Sequence, residues 1–242
     1  MSSKGSSKKL ILVLLAIAVS VGVPLSMFLT AKYLKVDKID LPDYYLPEGV
    51  QTRVEDGKTV TDTVYHQVSD ITLTNQLGNK VSLNKDLAGK VVVINFFFAR
   101  CPSVCPKLTS NMILLQNAFR KNPKVRNELE QDVQLVSMTV NPEHDSFPVL
   151  RDYADRFNVN HDHWWFLTGS KQDIYNFARN ELRVSVQPTE GGVEDFIHTE
   201  KIVLIDKDRY IRGYYDGLDS ADIKRCAEDV VILTLEKKHK KR

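Results

Sequence analysis

The longest apolar run of the chain lies near its N-terminus. Residues 10–31 have the sequence LILVLLAIAVSVGVPLSMFLTA, a stretch of 22 residues without a charge. A bilayer core requires about 20 helical residues, so the run predicts a single N-terminal transmembrane helix. A cleaved signal peptide is the alternative, but its apolar region spans only roughly 7–15 residues and ends at an A-x-A site, which is missing here. The pattern therefore favours an uncleaved anchor.

The residues on either side of the anchor determine its predicted orientation. Residues 1–9 form a basic tail with three Lys and no acid, whereas a large domain follows the anchor. This arrangement favours a tail inside and a domain outside, and the tail lacks the Arg-rich amphipathic pattern of a mitochondrial presequence. We therefore expect a single-pass protein of the bacterial cytoplasmic membrane, whose C-terminal domain faces the periplasm or the cell exterior.

Beyond the anchor, the hydrophobic pattern changes from that of a tether to that of a folded domain. Residues 32–65 contain prolines and glycines among mixed charges with little periodicity, which is typical of a tether that leads into the edge of a domain. Residues 66–242 are predicted to form the domain, with a basic C-terminal tail. Within it, GKVVVINFFFA at 89–99 is nearly continuous in apolar residues, as in a strand that is covered on both faces. Similar runs at 133–140 and 163–169 predict two more buried strands.

Segments with helical periodicity separate these strands. Helices are predicted at 104–121, 146–157, 170–180 and 219–238, and hairpins at 71–83 and 201–217. Strands that alternate with helices indicate an α/β layered sheet, and the closing hairpin makes this sheet mixed. The order of the elements predicts a thioredoxin-like fold, in which helices flank the mixed sheet.

Charge is distributed unevenly along the 242 residues, although 43% of them are hydrophobic, as in an ordinary globular protein. The formal net charge is +2, but residues 1–9 and the segment EKKHKKR at 236–242 supply it. The body between these ends carries a net charge of about −5. Because neutralising phosphates requires a basic surface, a nucleic-acid partner is not expected.

The most informative residues are Cys101 and Cys105 in FFFARCPSVCPKL, which lie directly after the central predicted strand. Their spacing of four places both side chains on one face of the following helix, about one turn apart. A helix N-terminus stabilises anions, so thiolates form more readily there. The pair is also expected at the carboxyl edge of the sheet, where α/β proteins bind ligands.

The spacing and number of the cysteines limit the kinds of redox or metal site that they can form. The motif C-x-x-x-C is one residue longer than the C-x-x-C of thioredoxin-type oxidoreductases. A structural zinc site requires four ligands, which Cys226 cannot readily complete from the last predicted helix. His198, just before the predicted strand at 201–208, is a candidate third donor, in a loop where thioredoxin reductants carry a cis-proline. Two thiolates and one imidazole form a soft ligand set that favours Cu(I).

Three features together resemble the Sco/SenC family of membrane-anchored copper proteins, over roughly residues 66–235. They are CPSVCP at 101–106, VNPEHDS at 140–146 and the late His198. The resemblance implies a thioredoxin-like fold with an insertion before His198, and a role in assembling the dinuclear copper A site of cytochrome c oxidase. It also implies that Cys101, Cys105 and His198 are the copper ligands.

The resemblance further implies the cargo and the partner. Copper would be held as Cu(I), with Cu(II) as the alternative. The partner would be the copper A subunit of the oxidase or another copper acceptor. The sequence departs from the usual family pattern at Asn141, His144 and Ile197, so the surroundings of the ligands differ although the ligand set is intact.

Two other functions remain open from the residues alone. In the first, the protein is a thiol–disulfide reductase, in which Cys101 and Cys105 form the redox pair and act on oxidase cysteines. In the second, it is a copper or redox sensor whose state is read by a partner. Copper binding and delivery, which is not an enzymatic activity, is the preferred interpretation.

The remaining candidate residues favour structural interpretations. Alternate histidines of a loop seldom form a closed metal site, which applies to His144, His161 and His163. Glu143 and Asp145 are predicted to cap the helix that follows them. Cys226 falls near the apolar stripe of the last predicted helix, where a buried packing role is favoured.

Overall fold

The computed structural model describes residues 16, 18–28, 41–55, 57–120, 131–184 and 200–236. The chain divides into two compact units, residues 1–40 and 41–242. In the first unit, residues 18–28 are helical. Among the described residues, none of the helices combines the length and the apolar character needed to cross a membrane. The transmembrane helix at 10–31 therefore stays a prediction.

The second unit contains nine strands and four helices among its described residues. The strands are β1 (Pro47–Glu55), β2 (Lys58–Tyr65), β3 (Thr72–Asn75), β4 (Lys80–Ser82), β5 (Val91–Phe97), β6 (Val133–Thr139), β7 (Trp164–Thr168), β8 (Lys201–Ile205) and β9 (Ile211–Asp216). The helices are α1 (Val104–Arg120), α2 (Phe147–Arg156), α3 (Lys171–Asn176), which continues as a π-helical turn over Phe177–Glu181, and α4 (Ser220–Leu235).

Seven of these strands form one mixed sheet in the order β4-β3-β7-β6-β5-β8-β9. The three central strands β5, β6 and β7 run parallel, and the flanking strands pair antiparallel. The parallel register sets Val93 opposite Leu135 and Asn95 opposite Ser137. This arrangement confirms the predicted mixed sheet with flanking helices and the thioredoxin-like fold.

The central strands are buried on both faces, as their continuous apolar sequences predict. All residues of β5 and β6 are buried. Successive side chains of β5 enter different cores: Val93 packs in the cluster that contains Leu108 and Met112 of α1, whereas Ile94 packs in the cluster on the other face. Helix α1 is thus fixed against the sheet by apolar contacts that begin one turn beyond the cysteines.

The second half of the segment 32–65, predicted as a tether that leads into the edge of a domain, contains a hairpin that the sequence did not predict. Residues 47–65 form an antiparallel hairpin of β1 and β2, in which nearly every residue is exposed. Gly57, at a φ of +74°, occupies the turn, where a residue without Cβ adopts a left-handed conformation at low cost. The sequence concealed this hairpin because its strands bury no apolar face, so the usual alternation of core and solvent residues is weak.

Candidate metal centre

The two predicted thiol ligands lie at the carboxyl edge of the sheet, as expected. Strand β5 ends at Phe97, and the chain turns through Cys101 before α1 begins at Val104. Two backbone hydrogen bonds shape this turn: Cys101 N–H donates to the Phe98 carbonyl at 3.2 Å, and Val140 N–H donates to the Phe97 carbonyl at 2.9 Å. The second bond comes from the end of the neighbouring parallel strand β6, so the turn is held by the sheet itself.

The backbone of α1 brings the two cysteines together. Cys105 N–H donates to the Sγ atom of Cys101 at 3.4 Å. This N–H belongs to the first turn of the helix, whose amide hydrogens have no partner within the helix. Cys101 is half-buried and Cys105 is buried, and both are free thiols. The structure therefore assembles a reduced dithiol at the N-terminus of α1.

The environments of the two thiols differ strongly. Partial burial tends to raise the pKa of Cys101, but hydrogen bonds from the N–H groups of Cys105, Ser103 and Val104 outweigh it and lower that pKa below its ordinary value. Burial raises the pKa of Cys105 to about 12, and its hydrogen bond to Cys101 and the nearby charge of Asp145 act in the same direction. At neutral pH the outer sulfur therefore carries more thiolate than the inner one.

A cleft of about 680 Å³ opens beside this dithiol. Apolar and aromatic side chains line this cleft, among them Phe98, Val140 and Tyr214. The charged residues Glu200, Lys201 and Asp216 line it as well. Glu200 and Lys201 lie at the start of β8, immediately after the segment that contains His198. The cleft thus brings Cys101 and Cys105 close to the residues at the start of β8.

The predicted third ligand, His198, lies outside the described residues, in the segment 185–199. The described residues contain no cluster of three or more His, Cys, Asp or Glu side chains that could hold a metal ion. The dithiol of Cys101 and Cys105 is therefore the part of the predicted ligand set that the structure describes, and the role of His198 stays a prediction.

The other histidines and the third cysteine occupy structural positions. His161 bridges Asp155 Oδ1 at 2.8 Å and Gln76 Nε2 at 3.0 Å through its two ring nitrogens. His144 lies within 3.1 Å of the side-chain oxygen of Asn141, and the N–H of His163 donates to the Asn160 carbonyl. Cys226 is fully buried in the core, and burial raises its pKa, so its thiol is poorly reactive.

The predicted helix-capping role of Asp145 is wrong. The residue that precedes α2 is Ser146, and its side chain makes no capping hydrogen bond to the described residues. Asp145 instead turns inward and is only 1% exposed. Its Oδ2 atom accepts hydrogen bonds from Thr139 Oγ1 at 2.5 Å and from Ala99 N–H at 3.0 Å. Glu143, the other predicted cap, is exposed and lies 3.9 Å from Lys171.

Known proteins resemble this chain over most of its length. A family model described as SCO1/SenC matches residues 60–233. The SCO1 protein homolog of Bacillus subtilis (strain 168) is 31% identical over 175 residues, which cover 72% of this chain and 86% of that protein.

Solved structures show the same likeness. BsSco, described as a member of the Sco family of cytochrome c oxidase assembly proteins with a disulfide switch, is 31% identical with a TM-score of 0.58, over 71% of this chain and 95% of its own. ScoI of Bradyrhizobium japonicum, solved with copper bound, is 25% identical with a TM-score of 0.54, over 69% of this chain and 99% of its own.

Proposed function

The chain belongs to the SCO1/SenC family, and from this membership we propose that it is a membrane-anchored protein that binds copper and delivers it to the copper A subunit of cytochrome c oxidase. Sco proteins act in cytochrome c oxidase assembly. One observation carries the proposal: the 3.4 Å hydrogen bond from Cys105 N–H to Cys101 Sγ, which gathers two thiols at a helix N-terminus beside an open cleft.

Copper is the cargo that this donor set suits best. Thiolates and imidazole are soft ligands, and a set of two sulfurs and one nitrogen favours Cu(I) over harder divalent ions. We assign the ligand positions to Cys101, Cys105 and His198. One observation supports the assignment of His198: Glu200, two residues later in the sequence, lines the cleft beside the cysteines. A structural relative, ScoI, was solved with copper bound, which supports copper as the cargo.

Loading the site requires reduced cysteines and the loss of thiol protons. Because the pKa of Cys105 is about 12, this thiol is protonated at neutral pH and Cu(I) must displace its proton. Cys101, whose pKa is lowered, supplies the more available thiolate. Transfer to the acceptor then proceeds by exchange of one thiolate ligand for another, so the copper keeps its sulfur coordination throughout.

We place the protein at the bacterial cytoplasmic membrane, with residues 10–31 as the anchor and the C-terminal domain outside. The uncharged run of 22 residues supports this location. Carbonate extraction of cell membranes tests it, since an integral anchor keeps the chain in the pellet. A protease added to intact spheroplasts should digest the domain, and protection of the domain would contradict the orientation.

The unequal thiols favour a second function, the reduction of a disulfide in the acceptor. The thiolate of Cys101 would attack one sulfur of that disulfide and release the other as a thiolate. Cys105, after loss of its proton, would attack Cys101 Sγ, leaving a Cys101–Cys105 disulfide and a reduced acceptor. Two electrons pass to the acceptor in this exchange. Reduction of the acceptor and delivery of copper are compatible, because the first prepares the cysteines for the second.

X-ray absorption of the Cu(I)-loaded protein tests the ligand assignment. We expect two sulfurs and one nitrogen, with loss of the nitrogen in His198→Ala and of a sulfur in Cys105→Ala. His144→Ala is the matched control, because this exposed histidine lies outside the cleft, and it should leave the spectrum unchanged. Stoichiometric copper binding by Cys105→Ala with an unchanged spectrum would refute the site.

The same variants separate the two functions. His198→Ala should still reduce a disulfide, since the chemistry requires only the cysteines, whereas its transfer of copper should fail. Disulfide reduction is measured with an oxidised peptide that carries two cysteines, and transfer with the purified copper A domain. If His198→Ala delivered copper at the wild-type rate, the third-ligand assignment would be wrong.

A further inference from the structure

Asp145 is a buried acidic residue that stands next to the dithiol without belonging to the proposed ligand set. It is 1% exposed, and one of its oxygens, Oδ2, accepts two hydrogen bonds. The donors come from two separate segments: Thr139 ends β6, and Ala99 lies in the turn between β5 and α1. The other oxygen, Oδ1, is buried and accepts no hydrogen bond from the described residues.

The segment that carries Asp145 is itself a closed turn. Asp145 N–H donates to the Asn141 carbonyl at 3.0 Å, and Asn141 N–H donates to Thr139 Oγ1 at 3.0 Å. The hydroxyl of Thr139 therefore accepts from the turn and donates to the carboxylate at the same time. This arrangement fixes the carboxylate of Asp145 relative to the end of β6.

Ala99 is the point at which this fixed carboxylate reaches the metal-binding turn. Its N–H lies two residues before Cys101, and the carbonyl of Phe98, the preceding residue, accepts the N–H of Cys101 at 3.2 Å. A charge-assisted hydrogen bond to a backbone N–H is stronger than a neutral one. Asp145 thus holds the peptide from which the position of Cys101 is set.

We propose that Asp145 is a positioning residue for the dithiol, which acts by accepting hydrogen bonds from Ala99 and Thr139 so that Cys101 Sγ stays in contact with Cys105 N–H. The proposal deepens the proposed copper-binding function and rests on it for its effect on affinity. Removal of the carboxylate would leave the Ala99 N–H without its acceptor and would release the turn.

The hydrogen bonds, rather than the negative charge, carry this role. The structure shows two donors, Ala99 N–H and Thr139 Oγ1, on the single oxygen Oδ2, and a neutral carbonyl oxygen in that position can accept both bonds as well. Asparagine has the same shape as aspartate and can place its carbonyl oxygen at the position of Oδ2, where both donors keep an acceptor. Alanine provides no acceptor at all.

The test compares Asp145→Asn with Asp145→Ala in the full chain. Cu(I) affinity is measured by competition with a chromophoric Cu(I) chelator. We expect Asp145→Asn to stay within about threefold of the wild type and Asp145→Ala to lose roughly 10- to 100-fold, the range for a hydrogen bond to a charged group. Glu143→Gln is the matched control, because it makes the same change on an exposed carboxylate two residues away, and it should have no effect.

A copper-independent readout distinguishes positioning from a failure of the proposed function. In the reduced, metal-free protein, the rates of alkylation of Cys101 and Cys105 report the hydrogen bond between them. Loss of the charge near Cys105 lowers the ratio in both variants. Only Asp145→Ala also loses the acceptor of the Ala99 and Thr139 hydrogen bonds, so the ratio should fall severalfold further in Asp145→Ala than in Asp145→Asn. If the wild type bound no Cu(I), the proposed function would fail, and the alkylation ratio alone would decide the role of Asp145.

A second pair of variants keeps the proposal testable if Asp145→Ala does not fold. Thr139→Val removes one donor to the carboxylate and Thr139→Ser retains it, so only the first should weaken Cu(I) binding and change the alkylation ratio. Equal losses for Asp145→Asn and Asp145→Ala would overturn the proposal, as would wild-type behaviour of Asp145→Ala or of Thr139→Val in both assays.

Discussion

The inequality of the two thiols leads to a quantitative prediction about their reactivity. The pKa of Cys105 is about 12, whereas that of Cys101 lies below the ordinary value of 9.0, so the two differ by at least about three units. At pH 7.5 the thiolate fraction of Cys101 therefore exceeds that of Cys105 by at least about 1000-fold. The intrinsic nucleophilicity of a thiolate also falls with its pKa, with a Brønsted coefficient of about 0.4–0.5. Over three units this makes the thiolate of Cys105 about 20-fold more nucleophilic than that of Cys101.

Alkylation of the reduced protein by iodoacetamide should accordingly modify Cys101 at least about 50-fold faster than Cys105 at pH 7.5, by this difference and this coefficient. The rates are obtained from quenched samples by mass spectrometry of the two peptides. The rate at Cys101 should level off once the pH passes its lowered pKa, whereas the rate at Cys105 should keep rising up to about pH 12. Cys226 is the internal control for unfolding, because it is fully buried. Equal rates at Cys101 and Cys105 in the folded protein would refute the argument.

Two further predictions concern stability. Arg212→Met should destabilise the fold by about 3–5 kcal/mol in urea unfolding, since the buried guanidinium bonds Asp206 at 3.0 Å and Glu236 at 2.9 Å; a loss below about 1 kcal/mol would contradict this. Burial tends to raise the pKa of Glu181, but the N–H of Ser69 and the nearby His66 outweigh it and lower that pKa. The resulting stability is present above the unfolded pKa and disappears as the pH falls through the folded one. Glu181→Gln should therefore lower the free energy of unfolding by up to about 1 kcal/mol at pH 7 and by less at pH 3. An equal loss at both pH values would show that the charge of Glu181 does not stabilise the fold.

The central strands of the sheet could be predicted almost completely from the sequence. The run at 89–99 could be assigned to a doubly covered strand because it is nearly continuous in apolar residues, and the structure buries every residue of β5 and of its partner β6. Strands of this kind lie in the middle of a sheet between two layers of helices. The location of Cys101 and Cys105 followed from the same pattern, since a helix must begin where such a strand ends.

The contacts of Asp145 could not be read from local sequence. An acidic residue directly before a helix fits the pattern of a cap, and nothing in the neighbouring residues distinguishes a carboxylate that turns outward from one that turns inward. Its partner Ala99 is 46 positions away and contributes only a backbone N–H, which leaves no mark on the sequence. Backbone donors that meet side chains across a fold are therefore the part of a site that pattern analysis misses.

The two proposed functions, copper delivery and disulfide reduction, rest on one geometric feature, which explains why the residues alone left both open. The N–H of Cys105 stabilises negative charge on Cys101, while burial keeps the proton on Cys105. A half-buried thiolate that faces a cleft, beside a protonated thiol, is suited to attack a disulfide, and the same pair becomes a chelate once a metal ion displaces the second proton. What separates the two outcomes is the third donor, because a disulfide exchange needs none and a trigonal copper site does. Under the proposed function, the donor at position 198 therefore decides which of the two reactions the dithiol performs, and His198→Ala is the variant that separates them.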